Sequence, residues 1–324
     1  MKVHFAPARP GSATCVPTFV DRLNAQRAPQ RHRGVADPAE ADVIVFPDCH
    51  LLGRDWRLTA IAENDLVRRY PGRIAVYDER DLPWCRFPGI YVSMPSDTFS
   101  PTAQVAGSYY QIDDPADRLG VPADTIEQDL LFSFVGGPTH PCRDAVFALR
   151  DPRAVIENSA GFLFFDPAST RFEERRREFA EVLHRSKFAL CPRGTGTSSI
   201  RLYEAMAAGR APVVIADAWL PPAGPDWDQF SIRWPESGIA ELPEYLAARE
   251  PDAQTMGMKA RAAFQMWFAP DVVLAHAFDQ LEVLYRTDGF TGCPQGGYRG
   301  TQYRRVGSEQ VLSRLRALKA RLIS

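Results

Sequence analysis

The chain contains no apolar run approaching the about 20 residues that cross a bilayer. Its start, MKVHFAPARPGSATCVPTF, lacks the apolar centre of a secretory leader. An excess of either charge is missing too: 38 Lys and Arg stand against 40 Asp and Glu, a net charge of −2. That balance excludes a general pull toward nucleic acid or membranes and makes any basic site local. None of the six cysteines (Cys15, Cys49, Cys85, Cys142, Cys191 and Cys293) falls in a CxxC, and no His joins them at a metal-ligand spacing. They read as reduced thiols of a cytoplasmic protein. Cys191, at the end of an apolar strand pattern, reads as a buried structural residue rather than a nucleophile. Repeats and low-complexity segments are absent.

What remains is an ordinary folded composition, 45% apolar, 11% aromatic and 24% charged. At 324 residues the chain exceeds one average domain. MKVHFAP, ADVIVFPD and RIAVYDERD are strand-like, with helical spacing in VPTFVDRLNAQR and DWRLTAIAENDLVRRYPG between them. A second series follows: strand QDLLFSFVGG, helix CRDAVFALRD, strand RAVIENS, charged helix RFEERRREFAEVLHRSK, strand KFALCP, helix SSIRLYEAMAAG, strand APVVIAD, then two apolar helices. Alternation of this kind predicts βαβ units and parallel sheets. The expected fold is α/β with two facing Rossmann-like domains, residues 1–125 and 126–289, then a basic tail, 290–324. Residues 90–125, irregular and rich in Ser, Pro, Asp and Thr, are expected to be the crossing between domains.

The most informative stretch is CPRGTGTSSIRLYEAMAAGRAPVVIAD, residues 191–217. It reads as strand, turn, helix, strand, and in an open parallel sheet a turn so placed is where ligands bind. Gly194 and Gly196 let a ligand approach the backbone. The helix start offers unpaired N–H groups and a partial positive charge. Thr197, Ser198 and Ser199 supply hydroxyls; Arg193 and Arg201 supply planar cations suited to phosphate. Glu204, one turn beyond Arg201 on the same face, is placed to accept from two ribose hydroxyls. The pieces describe a nucleotide diphosphate site, or alternatively a common Gly/Ser/Thr turn with a surface Arg201–Glu204 pair. The turn is neither a P-loop, having no Lys, nor a GxGxxG fingerprint.

SKFALCPRGTGTSSIRLYEAMAAGRAPVVIADAWLPPAGPDWDQFSI, about residues 186–233, resembles the C-terminal signature of the exostosin-type glycosyltransferases (glycosyltransferase family 47-like). Cys-Pro-Arg-Gly, Arg-Leu-x-Glu-Ala, Gly-x-x-Pro-Val-Val, Trp-Leu-Pro and Trp-x-x-Phe occur in order. FSFVGGPTHPCRDAVFAL resembles a further family element more loosely, and residues 1–125 match only as generic βα units. The resemblance implies a GT-B type fold and an inverting transfer from a nucleotide diphosphate sugar, commonly a UDP-sugar. It implies that Arg193 and the Thr197–Ser199 turn meet the diphosphate, Glu204 the ribose, and Arg143 a phosphate or the acceptor. Eukaryotic members carry a membrane anchor and lumenal disulfides, so a bacterial, cytoplasmic relative in surface polysaccharide synthesis is expected, with a glycan or lipid-linked acceptor.

Charge developing on the leaving diphosphate needs fixed cations and N–H groups or a metal. The turn supplies the first, so no metal cofactor is expected; Asp226 and Asp228 of DWD belong to the family's loop pattern. A general base for the acceptor hydroxyl is expected at strand ends of the first domain. Asp78 is the first candidate and Asp48 the second, followed by His50, Glu79 and Asp81. His184 reads as a partly exposed helix residue. The tail reads as an amphipathic basic helix that packs on the protein or rests on the inner face of an anionic membrane. A nucleotide-sugar epimerase or hydrolase of the same fold, and a non-catalytic anion- or glycan-binding protein, stay open as rival readings.

Overall fold

The computed structural model describes residues 1–27, 31–160 and 171–288. It divides into two units, each built on one all-parallel sheet. Among the described residues, the first comprises Met1–Gln111, Ala218–Gly224 and 267–288; the second comprises Ile112–Asp217 and Pro225–Met266. The tail lies outside the described residues.

In the first unit, β1 (Lys2–Phe5), α1 (Val16–Asn24), β2 (Arg33–Gly34), β3 (Val43–Phe46), α2 (Thr59–Ala62), α3 (Asp65–Arg69), β4 (Ile74–Asp78), β5 (Gly89–Tyr91) and β6 (Gln104–Ala106) follow in order. The sheet order is β2-β1-β3-β4-β5-β6. Alternate residues serve opposite faces: Val43, Val45, Ala75 and Tyr77 join one core, Ile44, Phe46, Ile74 and Val76 another. Both faces are therefore covered, which explains why these strands read as unbroken apolar runs.

In the second unit, β7 (Leu130–Gly136), α4 (Pro141–Ala148), β8 (Ala154–Asn158), α5 (Phe172–Arg185), β9 (Ser186–Pro192), α6 (Ile200–Ala207), β10 (Ala211–Ile215), β11 (Ile232–Trp234), α7 (Leu242–Arg249) and α8 (Ala253–Trp267) build a sheet of order β11-β10-β9-β7-β8. Phe132, Phe134, Phe188, Leu190, Val213 and Ile215 pack with Val146, Leu246 and Met256 on one face. Helix α6 lies against β9 and β10, and α5 against β7 and β9. Gly209, just past α6, takes φ +68, the left-handed conformation that ends a helix at little cost in glycine.

Two Rossmann-like α/β units are what the sequence led us to expect. Three details differ. Residues 90–125 are more than a crossing, because β5 and β6 lie largely or wholly within them and complete the first sheet; at three residues each they are too short to show a period. DWRLTAIAENDLVRRYPG forms two short helices, broken where Asn64 caps the second through Leu66 N–H at 3.0 Å. The last described helix, α9 (Val273–Asp288), belongs to the first unit, where Leu274, Phe278 and Leu281 enter the core beside Phe5, Phe19 and Ile90.

Candidate functional site

Ligands of open parallel sheets bind beyond the carboxyl strand ends where the strand order reverses. In the second unit the chain goes from β7 out to β8, then returns to the other side of β7 as β9. The reversal lies between β7 and β9, at the turns 137–140 and 193–199.

Arg143, in the first turn of α4, braces these turns. Its Nη1 donates to the Gly137 carbonyl at 2.9 Å, its Nε to that of Arg193 at 2.9 Å and its Nη2 to that of Pro192 at 3.1 Å. The guanidinium lies 5.3 Å from the Phe134 ring centre. Gly194 makes room for it: a Cβ there would stand 3.2 Å from Arg143 Nη2 and 3.0 Å from Thr139 Oγ1. Arg143, expected to meet phosphate or acceptor, gives three guanidinium N–H groups to protein carbonyls.

The turn itself is drawn together and inward. Arg193 is buried and curls over its own loop, donating to the carbonyls of Thr195 at 3.2 Å and Gly194 at 3.4 Å, with Nη1 4.0 Å from Glu236 Oε1. Thr197, Ser198 and Ser199 are buried. Ser199 is the N-cap of α6 but gives it no side-chain cap, so the first-turn N–H groups keep no partner from that hydroxyl. Ser198 is 3% exposed, and its Oγ has no hydrogen-bond partner. A buried, unanswered hydroxyl costs about 1–3 kcal/mol and calls for an explanation. Arg201 donates through Nε to the Val135 carbonyl at 3.0 Å, pairs with Glu204 Oε2 and stands 4.3 Å from the Phe179 ring centre. The structure brings Arg143, Arg193, Gly194, Thr197, Ser198, Ser199, Arg201 and Glu204 into one neighbourhood.

In the first unit the reversal lies between β1 and β3, and Asp48 spans it. Its carboxylate accepts from Ala8 N–H at 3.2 Å, Cys15 N–H at 2.9 Å and Thr14 Oγ1 at 2.8 Å. Asp78, at the end of β4, is 0% exposed and gripped by Arg80, whose Nη2 lies at 2.6 Å and Nε at 2.9 Å. Neither first-choice base is presented to solvent. Glu79 accepts from Tyr110 N–H at 2.8 Å, and burial, opposed by that bond, pushes its carboxyl up to about 8. His50 and Asp81 are exposed.

His184 is buried on α5 beside Phe179, Ala180 and Leu183, which corrects the expectation of a partly exposed residue. Burial, with Arg210 nearby, lowers it to about 4, so it is neutral. Asp226 accepts from the Gln229 side chain at 3.0 Å. The sequence reading missed Glu236, which exchanges bonds with Asp217 (Asp217 N–H to Oε1 at 3.1 Å, Glu236 N–H to Asp217 Oδ1 at 3.0 Å). No local motif links residue 236 to residue 193. The described cysteines form no disulfide, and no described helix is long and apolar enough to cross a membrane.

Residues 94–248 match the family model of the Exostosin GT47 domain. An exostosin-1 homolog of Caenorhabditis elegans is 38% identical over 76 residues, 23% of this chain and 20% of the relative. Exostosin-1 of Drosophila melanogaster is 35% identical over 121 residues, 34% of this chain and 16% of the relative. The chain thus spans a fifth or less of the length of these relatives. The solved structure of Anabaena HepE in complex with UDP and glucose is similar over 88% of this chain and 100% of its own, at 12% identity and a TM-score of 0.42.

Proposed function

Residues 94–248 match the model of the Exostosin GT47 domain, and from that match we propose that the protein is an inverting glycosyltransferase. It takes a sugar from a nucleoside diphosphate donor, a UDP-sugar first among them, and passes it to a glycan or lipid-linked acceptor in surface polysaccharide synthesis. The observation that carries this reading is the turn between β9 and α6. A helix start without a side-chain cap, a buried Ser198 hydroxyl without a partner and the buried Arg193 converge at the strand reversal of the second sheet.

Each group has a task. The N–H groups of α6 and the Ser198 hydroxyl donate to diphosphate oxygens. Arg193 exchanges its long 3.4 Å bond to Gly194 for a phosphate oxygen. As the anomeric C–O bond breaks, charge grows on the departing diphosphate, and these fixed donors stabilise it without a metal. Arg201 aims Glu204 by holding Oε2, which leaves Oε1 as the acceptor for ribose. The acceptor hydroxyl attacks the anomeric carbon and gives up its proton to a base. Glu79, in the ionised form it gains as pH rises through about 8, takes that role in place of Asp78 or Asp48, whose oxygens are committed to the fold.

Calorimetric titration of UDP in EDTA tests the donor site: saturable binding is expected, and complete loss of binding in EDTA contradicts metal-free recognition. Transfer assays on Glu79→Gln test the base. Turnover should fall by ~10²–10⁴ with UDP affinity intact; normal turnover removes Glu79 from the mechanism. Donor breakdown unaffected by any added acceptor would favour hydrolysis over transfer.

A further inference from the structure

His140 caps α4, Cys142 lies in its first turn, and Glu236 follows β11. Though nearly a hundred residues separate them in the chain, each offers one ligand atom, and these atoms lie within 4.8 Å of one another. His140 Nδ1 is 3.1 Å from Cys142 Sγ and 3.8 Å from Glu236 Oε2. Ligand atoms around a tetrahedral ion with bonds of roughly 2.0–2.3 Å are about 3.5 Å apart, so the two measured separations bracket the required one.

We propose that His140, Cys142 and Glu236 bind one zinc-type divalent ion, with a fourth position left for water or an anion. The donor set selects the class: imidazole, thiolate and carboxylate suit zinc, whereas magnesium and calcium favour oxygen alone. Thiolate and carboxylate together balance the ion's charge, and the thiol proton leaves to solvent as the ion enters. The site is supported from outside: reciprocal bonds with Asp217 fix Glu236, the outer support that ligating carboxylates use. It is also reachable, since the side chains of His140 and Glu236 are 17% and 20% exposed. Two contacts must yield: the Cys142 N–H approaches His140 Nδ1 at 3.3 Å, a long bond, and the Cys142 thiol donates to the Arg193 carbonyl at 3.7 Å. The ion lies beside the donor groups, since Glu236 Oε1 stands 4.0 Å from Arg193 Nη1, but it is not required for nucleotide binding in EDTA.

The test uses the full chain, stripped with a chelator and titrated with Zn²⁺ and with Co²⁺. One ion per chain is expected, with a thiolate-to-cobalt absorption band in the near ultraviolet. Cys142→Ser should abolish the band and weaken Zn²⁺ binding more than about a hundredfold, beyond the 10–100-fold of outer-shell changes. His140→Gln, with its fold checked by circular dichroism, should weaken Zn²⁺ binding while keeping the cobalt–thiolate band at higher metal. A wild-type chain without the band, or variants that bind Zn²⁺ as tightly as wild type, overturns the site. None of these readouts involves nucleotide, so failure here leaves the donor site standing, and the reverse.

Discussion

The two units close the same topological gap with opposite charges. In the first, a carboxylate bridges the strand reversal: Asp48 collects N–H and O–H donors from the turn after β1. In the second, a guanidinium does so: Arg143 collects carbonyls from the turns after β7 and β9. On the proposed function, the difference decides which gap holds an anion. Asp48 consumes donors that a phosphate would need and adds a negative charge. Arg143 occupies acceptors, adds a positive charge and leaves the amides of α6 available. One sheet topology thus gives a gap bridged by a carboxylate and a gap bridged by a guanidinium.

The largest effect should come from opening the gap that Asp48 bridges. Asp48→Ala strands the donors of Ala8, Thr14 and Cys15, and should cost at least ~3 kcal/mol in denaturant unfolding, as several charge-assisted bonds are lost together. UDP affinity should hold in the folded fraction; an equal loss there breaks the comparison. Next, Glu204→Ala should weaken UDP by roughly 1.5–3 kcal/mol, the value of a hydrogen bond to a charged group, in calorimetry. Pyrophosphate, which has no ribose, should bind as before; equal losses would make Arg201–Glu204 a purely structural pair.

Smaller effects sharpen the contrast. Ser198→Ala should weaken UDP and pyrophosphate alike by about 0.5–1.5 kcal/mol. The ligand-free protein should be no less stable, since a buried hydroxyl without a partner is removed. A rise in affinity would exclude Ser198 from the donor site. The mildest concerns pH. Glu79 is raised from 4.5 to about 8, so the folded chain holds this proton where the unfolded chain has released it. Its stabilising contribution is complete below about 4.5 and drains away as pH rises through about 8. Glu79→Gln should flatten the fall in stability over that window; an unchanged slope places the raised carboxyl elsewhere.

What the sequence disclosed follows from distance along the chain. The site around α6 was legible because its strand, turn and helix are contiguous and Arg201 and Glu204 lie one turn apart. The gap of the first unit was not, since Asp48 acts on residues 33 to 40 positions away. Arg143 looked like a ligand contact because nothing local reveals carbonyl partners some fifty residues on. The two Rossmann-like units were visible in the βα alternation. The sheet membership of β5 and β6 and the return of α9 to the first unit depend on packing that no periodicity records. His184 was misplaced because α5 is so heavily charged that its buried face is narrow.

The contrast between the two gaps is tested most directly by amide hydrogen exchange of the full chain with and without saturating UDP in EDTA. Slowed exchange is predicted at residues 193–203, where the turn and the first turn of α6 hold the diphosphate, with no change at residues 6–16, where the Ala8 and Cys15 amides already serve Asp48. Protection at residues 6–16 without protection at 193–203 would put the nucleotide in the wrong gap and contradict the account.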